Sequence, residues 1–563
     1  MATRFDAVGA ASYALAVKIL LPRGTKAYGL AALGLVLLLG TWLRASGLTW
    51  GLEGGYGMNR NYHPDEFISM RGVLQIDLLS GKLTASGAYF EGTFNYYIWA
   101  VPAALMNLSH NPAAPRSADQ LRQLLLTCRV LTVIVDVTCI ALVFLAGYEA
   151  TTRFLPSLLG AACYAVIPIQ VIYSHFMRTH VLSNFFCAVV LWLSIKLQTK
   201  PTWWLMFLTG FLSGLGAATR YPVAVIACIP FFFLLFAPLP DSPRLFRRLL
   251  ANIRKLLTGP AWIIALGFVI GLFVGEPPLF LRFHEVVAAV QGQTLKYAVL
   301  DQFSAGNLLN VFLLWQYISN LIPHGMYPVL WVTGYAAIVY VLFRPSLYHL
   351  TLPILAFSVC YFYPMAKGYY VPSYARAGML LFPGLCILIA LTCHDLGLRA
   401  RNSRPFAAAI AAAVCLSILP SLLFDIAYDR AMRRTDVRTA LRDDLRRSIG
   451  DSPATVAVGK LGGYFFTTLP AVEPLKSAMV TVRLQQPDEP ADYFVTGWRG
   501  ALEPDYLRAA MRSIERRGMF RRVRFYAQQP RLFDQRISLV GFPVDMTFPF
   551  PTLILFARNP PST

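Results

Sequence analysis

Apolar residues in this 563-residue chain come in blocks about 20 long, separated by short polar stretches, over most of its length. About 20 helical residues cross the roughly 30 Å hydrocarbon core of a bilayer, so each block predicts a transmembrane helix. Eleven can be drawn, at about 27–48, 122–147, 156–175, 183–199, 203–221, 223–239, 261–280, 326–343, 349–365, 378–395 and 406–424. Between the first two blocks, stretches at about 64–80 and 93–109 are amphipathic and predict helices lying at the membrane interface. Residues 281–325 form another long loop with a helical stretch of its own.

From about Asp425 the apolar blocks stop. The β-rich runs Thr455–Gly459, Tyr493–Thr496, Val523–Tyr526 and Thr552–Phe556 alternate with helical patterns at Val437–Ser448 and Pro504–Arg516. That order predicts a small α/β domain. The expected fold is therefore a polytopic all-α membrane bundle of about eleven transmembrane helices with outer-face interfacial helices, residues 1–424. A soluble α/β domain, residues 425–563, follows it.

Composition agrees. The chain is 56% hydrophobic and 14% charged, where soluble domains carry roughly a quarter charged residues. A water-soluble enzyme, a disordered scaffold and a coiled coil are excluded. The net charge of +21 is that of basic loops that set topology and meet anionic lipid; no basic–aromatic nucleic-acid module is present. Arg4, Lys18, Arg23 and Lys26 precede the first block, and alternate loops carry Arg153, Lys200, the cluster Arg244, Arg247, Arg248, Arg254 and Lys255, then Arg344, and Arg399, Arg401 and Arg404. With these inside, an odd number of spans places the C-terminal domain outside. A bacterial inner-membrane protein with its site and C-terminal domain on the periplasmic side is expected. The first block lacks a small-residue cleavage site after it, so it reads as a retained signal anchor. Nine cysteines, all at or before Cys415, show no disulfide framework or metal spacing and read as small buried hydrophobes.

The best local signal for chemistry is Tyr62-His63-Pro64-Asp65-Glu66, just after the first block. Pro64 suits the first turn of a helix, and Asp65 and Glu66 then sit at its positive end, which keeps them ionised. An ordinary helix start has the same spacing; what favours chemistry is two carboxylates at the outer membrane surface. Arg220, Lys367 and Arg376 fall at outer ends of spans. Charges there are costly unless they pair, bind a ligand or snorkel to the headgroups. Arg129 and Asp136 lie seven residues apart within the second span, about 10 Å along its axis, too far to pair with each other. A structural ionic contact to another helix is as good a reading of them as catalysis.

These residues resemble the GT-C glycosyltransferases, polytopic enzymes that use lipid-phosphate sugars and include protein O-mannosyltransferases and the aminoarabinose transferase of lipid A. The resemblance lies in the overall plan and in several short motifs. These are His63-Pro-Asp-Glu66, Thr93-Phe-Asn-Tyr-Tyr97, the Gly-rich Gly210–Tyr221 ending in Arg220-Tyr221, Tyr374-Ala-Arg376 before Leu-Leu-Phe-Pro383, and Thr435-Asp-Val-Arg438. It implies Asp65 as catalytic base; Glu66, beside it, is read as supporting, and Arg220, Lys367 and Arg376, from their places at outer ends of spans, as donor-phosphate ligands. Transfer of a sugar from a polyprenyl phosphate needs both parts: a base for the acceptor hydroxyl and cations for the departing phosphate. The stretch Ser174–His180 is similar to the family's second acidic motif, with His180 where an Asp is usual. That Asp helps hold a divalent cation in metal-using members, so metal dependence stays open here. His180 can ligate a metal, with Asp65 or Glu276 as companions, donate to a phosphate, or cap a helix.

The expected activity is sugar transfer, with inversion, from a polyprenyl-phosphate donor to a glycan, lipid or protein acceptor on the non-cytoplasmic face. The alternatives are a transporter or flippase of lipid-linked sugars and a non-catalytic scaffold. Internal repeats and paired broken spans, the marks of transporters, are absent from the sequence.

Overall fold

Two helical segments, Thr179–Thr199 and Ala375–Arg399, are apolar on every side, and the fold buries 83% and 89% of them. They form the centre of the bundle. By contrast the span Ala27–Ala45 is only 17% buried and turns Tyr28, Leu30, Leu35 and Leu38 outward, as a lipid-facing helix must. The computed structural model describes residues 23–54, 61–85, 89–108, 116–239, 245–300, 311–366, 374–400, 403–459, 469–484, 491–498 and 504–559. Lys367, Arg4, Lys18, Arg244 and Arg401 lie outside the described residues.

In chain order the helices are α1 (Arg23–Ala45), α2 (Pro64–Val73), α3 (Phe94–Leu105), α4 (Ala118–Thr151), α5 (Phe154–Ala165), α6 (Pro168–Ser174), α7 (Thr179–Thr199), α8 (Trp203–Ala217), α9 (Cys228–Leu235), α10 (Leu245–Thr258), α11 (Trp262–Gly275), α12 (Pro328–Leu342), α13 (Tyr348–Ala366), α14 (Phe382–Arg399), α15 (Arg404–Met432), α16 (Val437–Ile449) and α17 (Pro504–Arg516). Six helical segments among the described residues are long and apolar enough to cross a membrane, or up to eight if each of two bent pairs is one span. The bent pairs are α5 with α6, at 60°, and α10 with α11, at 59°. Three further apolar helices at expected span positions are shorter: α8, Tyr221–Leu235 and α12. Proline accounts for the interruptions. Pro168 opens α6, Pro222 begins a 3₁₀ turn after α8, and Pro328 opens α12; each favours a break just before it.

The two helices expected at the interface are shorter than the sequence predicts. Helix α2 stops at Val73 rather than near 80, because the Asp77 carboxylate accepts from the amides of Leu79 and Ser80 and diverts the chain into a turn. Helix α3 ends at Leu105. The stretch after α11 contains the helix Phe283–Leu300.

The C-terminal domain is a five-stranded mixed sheet built from β1 (Ala454–Val458), β2 (Val480–Leu484), β3 (Tyr493–Trp498), β4 (Phe520–Ala527) and β5 (Thr552–Arg558). Its order is β2-β1-β3-β5-β4, with β1 parallel to both neighbours and β5 antiparallel to β3 and β4. Four of these strands follow the sequence pattern. The fifth, β2, is an edge strand with little burial and so leaves a weak apolar signature. Helix α16 lays Leu441 and Leu445 against Val456, Val458 and Leu555 of the sheet.

Helices α8 and α11 pack backbone to backbone. A Cβ on Gly210 or Gly214 would lie 2.0 Å from the Ile264 carbonyl oxygen or 2.2 Å from that of Phe268. In return, Gly267 and Gly271 leave room for the carbonyls of Phe207 and Phe211. Small residues four apart on both partners permit this approach. Gly214→Val forces the helices apart, which we expect to cost about 1–3 kcal/mol and to lower the melting temperature in detergent; an unchanged melting temperature would show that the contact tolerates a side chain.

Candidate active site

The site begins at α2. His63 is its N-cap: the Asp65 amide donates to His63 Nδ1 (3.3 Å), and Pro64 fills the first helical position. The imidazole is buried between Phe176 and Phe548. Burial pushes its pKa down to about 3, so it is a neutral acceptor at physiological pH. This cap fixes where the next two carboxylates point, and it sends them in different directions.

Glu66 turns inward. It is 1% exposed and takes both Arg129 Nε (2.9 Å) and Arg129 Nη2 (2.7 Å), while the Met177 amide donates to the same carboxylate (2.8 Å). Burial would raise its pKa, but Arg129 outweighs burial and lowers it. Arg129 also donates to the carbonyls of Leu48 and Trp50, tying α4 to the chain leaving α1. Asp136 on the same helix pairs with Arg44 (2.6 Å). Both charges of the second span thus make ionic contacts to other elements.

Asp65 faces the mouth of the bundle, its side chain 24% exposed. Arg376 Nη1 donates to its Oδ2 at 2.7 Å, and Arg178 Nη2 lies 3.7 Å away. Burial opposes its charge, yet Arg178 and Arg376 hold the carboxyl well below the usual carboxylate range. Arg376 sits on a 3₁₀ turn, Ala375–Leu381, that leads into α14. Its guanidinium stacks over Tyr374 at 4.2 Å and donates to the Tyr173 hydroxyl (3.1 Å). Arg178, at the N-cap of α7, is held by Glu91 (2.6 Å), Ser69 Oγ and the Asp65 carbonyl.

His180 lies in the first turn of α7, 3% exposed, with its ring edge-on to Tyr173. Neither of its ring nitrogens has a hydrogen-bond partner among the described residues. The charges acting on it are chiefly cationic: Arg220, Arg376 and Arg178. Arg220 is half-buried at the N-cap of the 3₁₀ turn after α8. Asp65, Arg376, Arg178, His180 and Arg220 therefore belong to one neighbourhood, whereas Glu66 is committed to Arg129.

Glu276, fully buried at the end of α11, accepts from the Thr93 amide and from the Tyr221 hydroxyl (3.4 Å). It joins α3 to the turn after α8; no ion pair or hydrogen bond links it to His180 or Asp65 in the structure. Among the described residues no group of three or more His, Cys, Asp or Glu is gathered to hold a metal. The setting of His180, with guanidinium groups around it and the Asp65 carboxylate already paired with arginine, suits an anion better than a divalent cation.

Sequence reasoning overlooked Arg178, Glu91, Tyr173 and Asp545, which completes the Arg376 turn. Arg178 carried a signal, being a charged residue immediately before a long apolar helix. Glu91, Tyr173 and Asp545 carried none, because each acts through a contact across long sequence separations.

No family model matches the chain, and no curated protein matches it in sequence. Solved structures do resemble its fold. The apo oligosaccharyltransferase of Archaeoglobus fulgidus aligns with a TM-score of 0.46 and 14% identity, over 81% of this chain and 64% of that one. ArnT from Cupriavidus metallidurans aligns in its apo state with a TM-score of 0.45 and 12% identity, over 94% and 98% of the two chains. The same ArnT bound to undecaprenyl phosphate gives 0.43 and 13%, over 95% and 98%.

Two consequences can be measured. Glu66→Gln leaves Arg129 buried opposite a neutral amide, and breaking a buried pair costs about 3–5 kcal/mol; we expect a marked fall in melting temperature, and a normal one would return Glu66 to a role in turnover. Glu276 accepts from the Thr93 amide at the start of α3, and Glu276→Ala leaves that buried amide without its acceptor, which we expect to cost about 1–3 kcal/mol and to lower the melting temperature; an unchanged melting temperature would refute the contact.

Proposed function

We propose that the chain is an integral membrane glycosyltransferase that moves a sugar, with inversion, from a polyprenyl-phosphate donor to an acceptor on the non-cytoplasmic face. The observation that carries this reading is the Asp65–Arg376 contact, 2.7 Å long at the mouth of the bundle. It sits beside Arg178 and a buried imidazole whose two nitrogens have no hydrogen-bond partner among the described residues. A carboxylate and cations set side by side are the two parts that the chemistry requires. A site between the spans and the outer segments would let an isoprenoid chain stay in lipid while its phosphate reaches the arginines.

In the reaction the acceptor oxygen forms a bond to the anomeric carbon as the bond from that carbon to the phosphate oxygen breaks. The acceptor proton passes to Asp65, and the electron pair leaves on the polyprenyl phosphate, whose charge Arg376, Arg178 and Arg220 offset. Lys367, outside the described residues, is a further candidate for that role. In the free protein Asp65 is a weak base, because two arginines hold it ionised. The donor phosphate offsets the charge of the arginines beside Asp65, and so raises its proton affinity. The base thus becomes effective once the donor is in place. His180 would hydrogen-bond the phosphate as a neutral group; the step needs no metal ligand from it. The acceptor is a glycan, a lipid or a protein.

Two substitutions test the reading with a panel of polyprenyl-phosphate sugars and envelope extract. Asp65→Asn should lose about 10²–10⁴-fold in turnover and still bind donor. Arg376→Ala should weaken donor binding at least about tenfold, as expected for a charge-assisted contact. Asp65→Asn turnover above about a third of wild type, or unchanged donor affinity in Arg376→Ala, would overturn the assignment.

A further inference from the structure

We infer that Asp545, a residue of the C-terminal domain, is a positioning residue for Arg376, so that this domain completes the site in the membrane bundle. The inference rests on the reading of Arg376 as a donor-phosphate ligand. Asp545 lies on a single 3₁₀ turn, Val544–Met546, and is fully buried. Its Oδ1 accepts from the Ala375 amide (3.0 Å), and its Oδ2 accepts from the Arg376 amide (2.9 Å) and the Tyr173 hydroxyl (3.4 Å). The two amides open the 3₁₀ turn Ala375–Leu381, and N–H groups at the start of a helical turn have no partner within it. A carboxylate 169 residues further along the chain supplies that partner.

The same carboxylate also reaches the other end of Arg376. Tyr173 donates to Asp545 and accepts from Arg376 Nη1 (3.1 Å). Backbone and guanidinium are therefore fixed from one point, which leaves Nη1 aimed at Asp65. The loop that carries Asp545 is itself anchored to the bundle. Tyr428 donates to the Met546 carbonyl (2.8 Å), Phe550 packs on Tyr428, and Phe548 packs on His63. An apolar side chain could fill the same space. A buried carboxylate is costly unless its acceptors are used, and each acceptor contact found here goes to Arg376, to its neighbouring amide or to the tyrosine beneath it.

The test uses the full chain in nanodiscs, with polyprenyl phosphate as the binding probe and melting temperature as the check on folding. Asp545→Ala should weaken binding about tenfold, and Asp545→Asn about threefold, because an amide oxygen still accepts from a backbone N–H. In an Arg376→Ala background neither change should weaken binding by more than about twofold, since residues acting through one another are not additive. Losses that add fully in the double variants, or Asp545→Ala with wild-type affinity, would overturn the proposal while the donor reading stands. Should Asp545→Ala fail to fold, the Asp545→Asn cycle decides alone. A wild-type protein that does not bind the probe removes the donor reading, and the proposal with it.

Discussion

An arginine buried in this fold has to bring its own carboxylate, and that requirement organises the molecule. Ionisable groups in the low-dielectric interior are tolerated only when paired or bound to a ligand. Arg44 has Asp136, Arg129 has Glu66, Arg178 has Glu91, Arg376 has Asp65 and Arg438 has Asp436. The first four of these pairs join different elements. Together they hold α1 to α4, α4 to α2, and α2 to the turn that begins α14. The bundle core is apolar, but these few charged contacts align it, and the candidate site is the place where two of the arginines, Arg178 and Arg376, meet one carboxylate, Asp65.

How much of this was legible in the sequence follows from how local each feature is. Span positions and the membrane class come from runs of about 20 apolar residues, and runs are visible without partners. The start of α2 was equally visible, since Pro64 at the first turn is a local rule. What Asp65 and Glu66 do was not, because adjacent residues on a helix point about 100° apart and their partners lie up to 311 residues away. Expecting the two to act together was a reading of adjacency, whereas geometry sends Glu66 to Arg129 and leaves Asp65 at the mouth. Span length was misjudged for a related reason. A hydrophobic run such as 203–221 says nothing about the 3₁₀ turn that Pro222 imposes at its end.

The segment Thr435-Asp-Val-Arg438 gains a physical meaning. Arg438 is 1% exposed, is bound twice by Asp436, donates to the Tyr62 carbonyl (2.9 Å) and stacks over the Tyr62 ring at 4.3 Å. Trp50 donates to Asp436 as well. The first residues of the C-terminal domain therefore grip the residue that precedes the His63 cap, and Arg438 also donates to the Phe548 carbonyl on the loop that carries Asp545. The domain clasps the start of α2 and the start of the Arg376 turn, which are the two elements that supply the Asp65–Arg376 contact.

The glycine faces of α8 and α11 carry a consequence for motion. Backbones in direct contact, with no side chain between them to change rotamer, move as one bar rather than as two helices. Arg220 follows the end of α8 by three residues, and Glu276 is the residue after α11. Glu276 in turn holds the Thr93 amide at the start of α3. A shift of either helix therefore carries the start of α3 and the turn that bears Arg220 together, much as the jaws of a gauge are set by its frame.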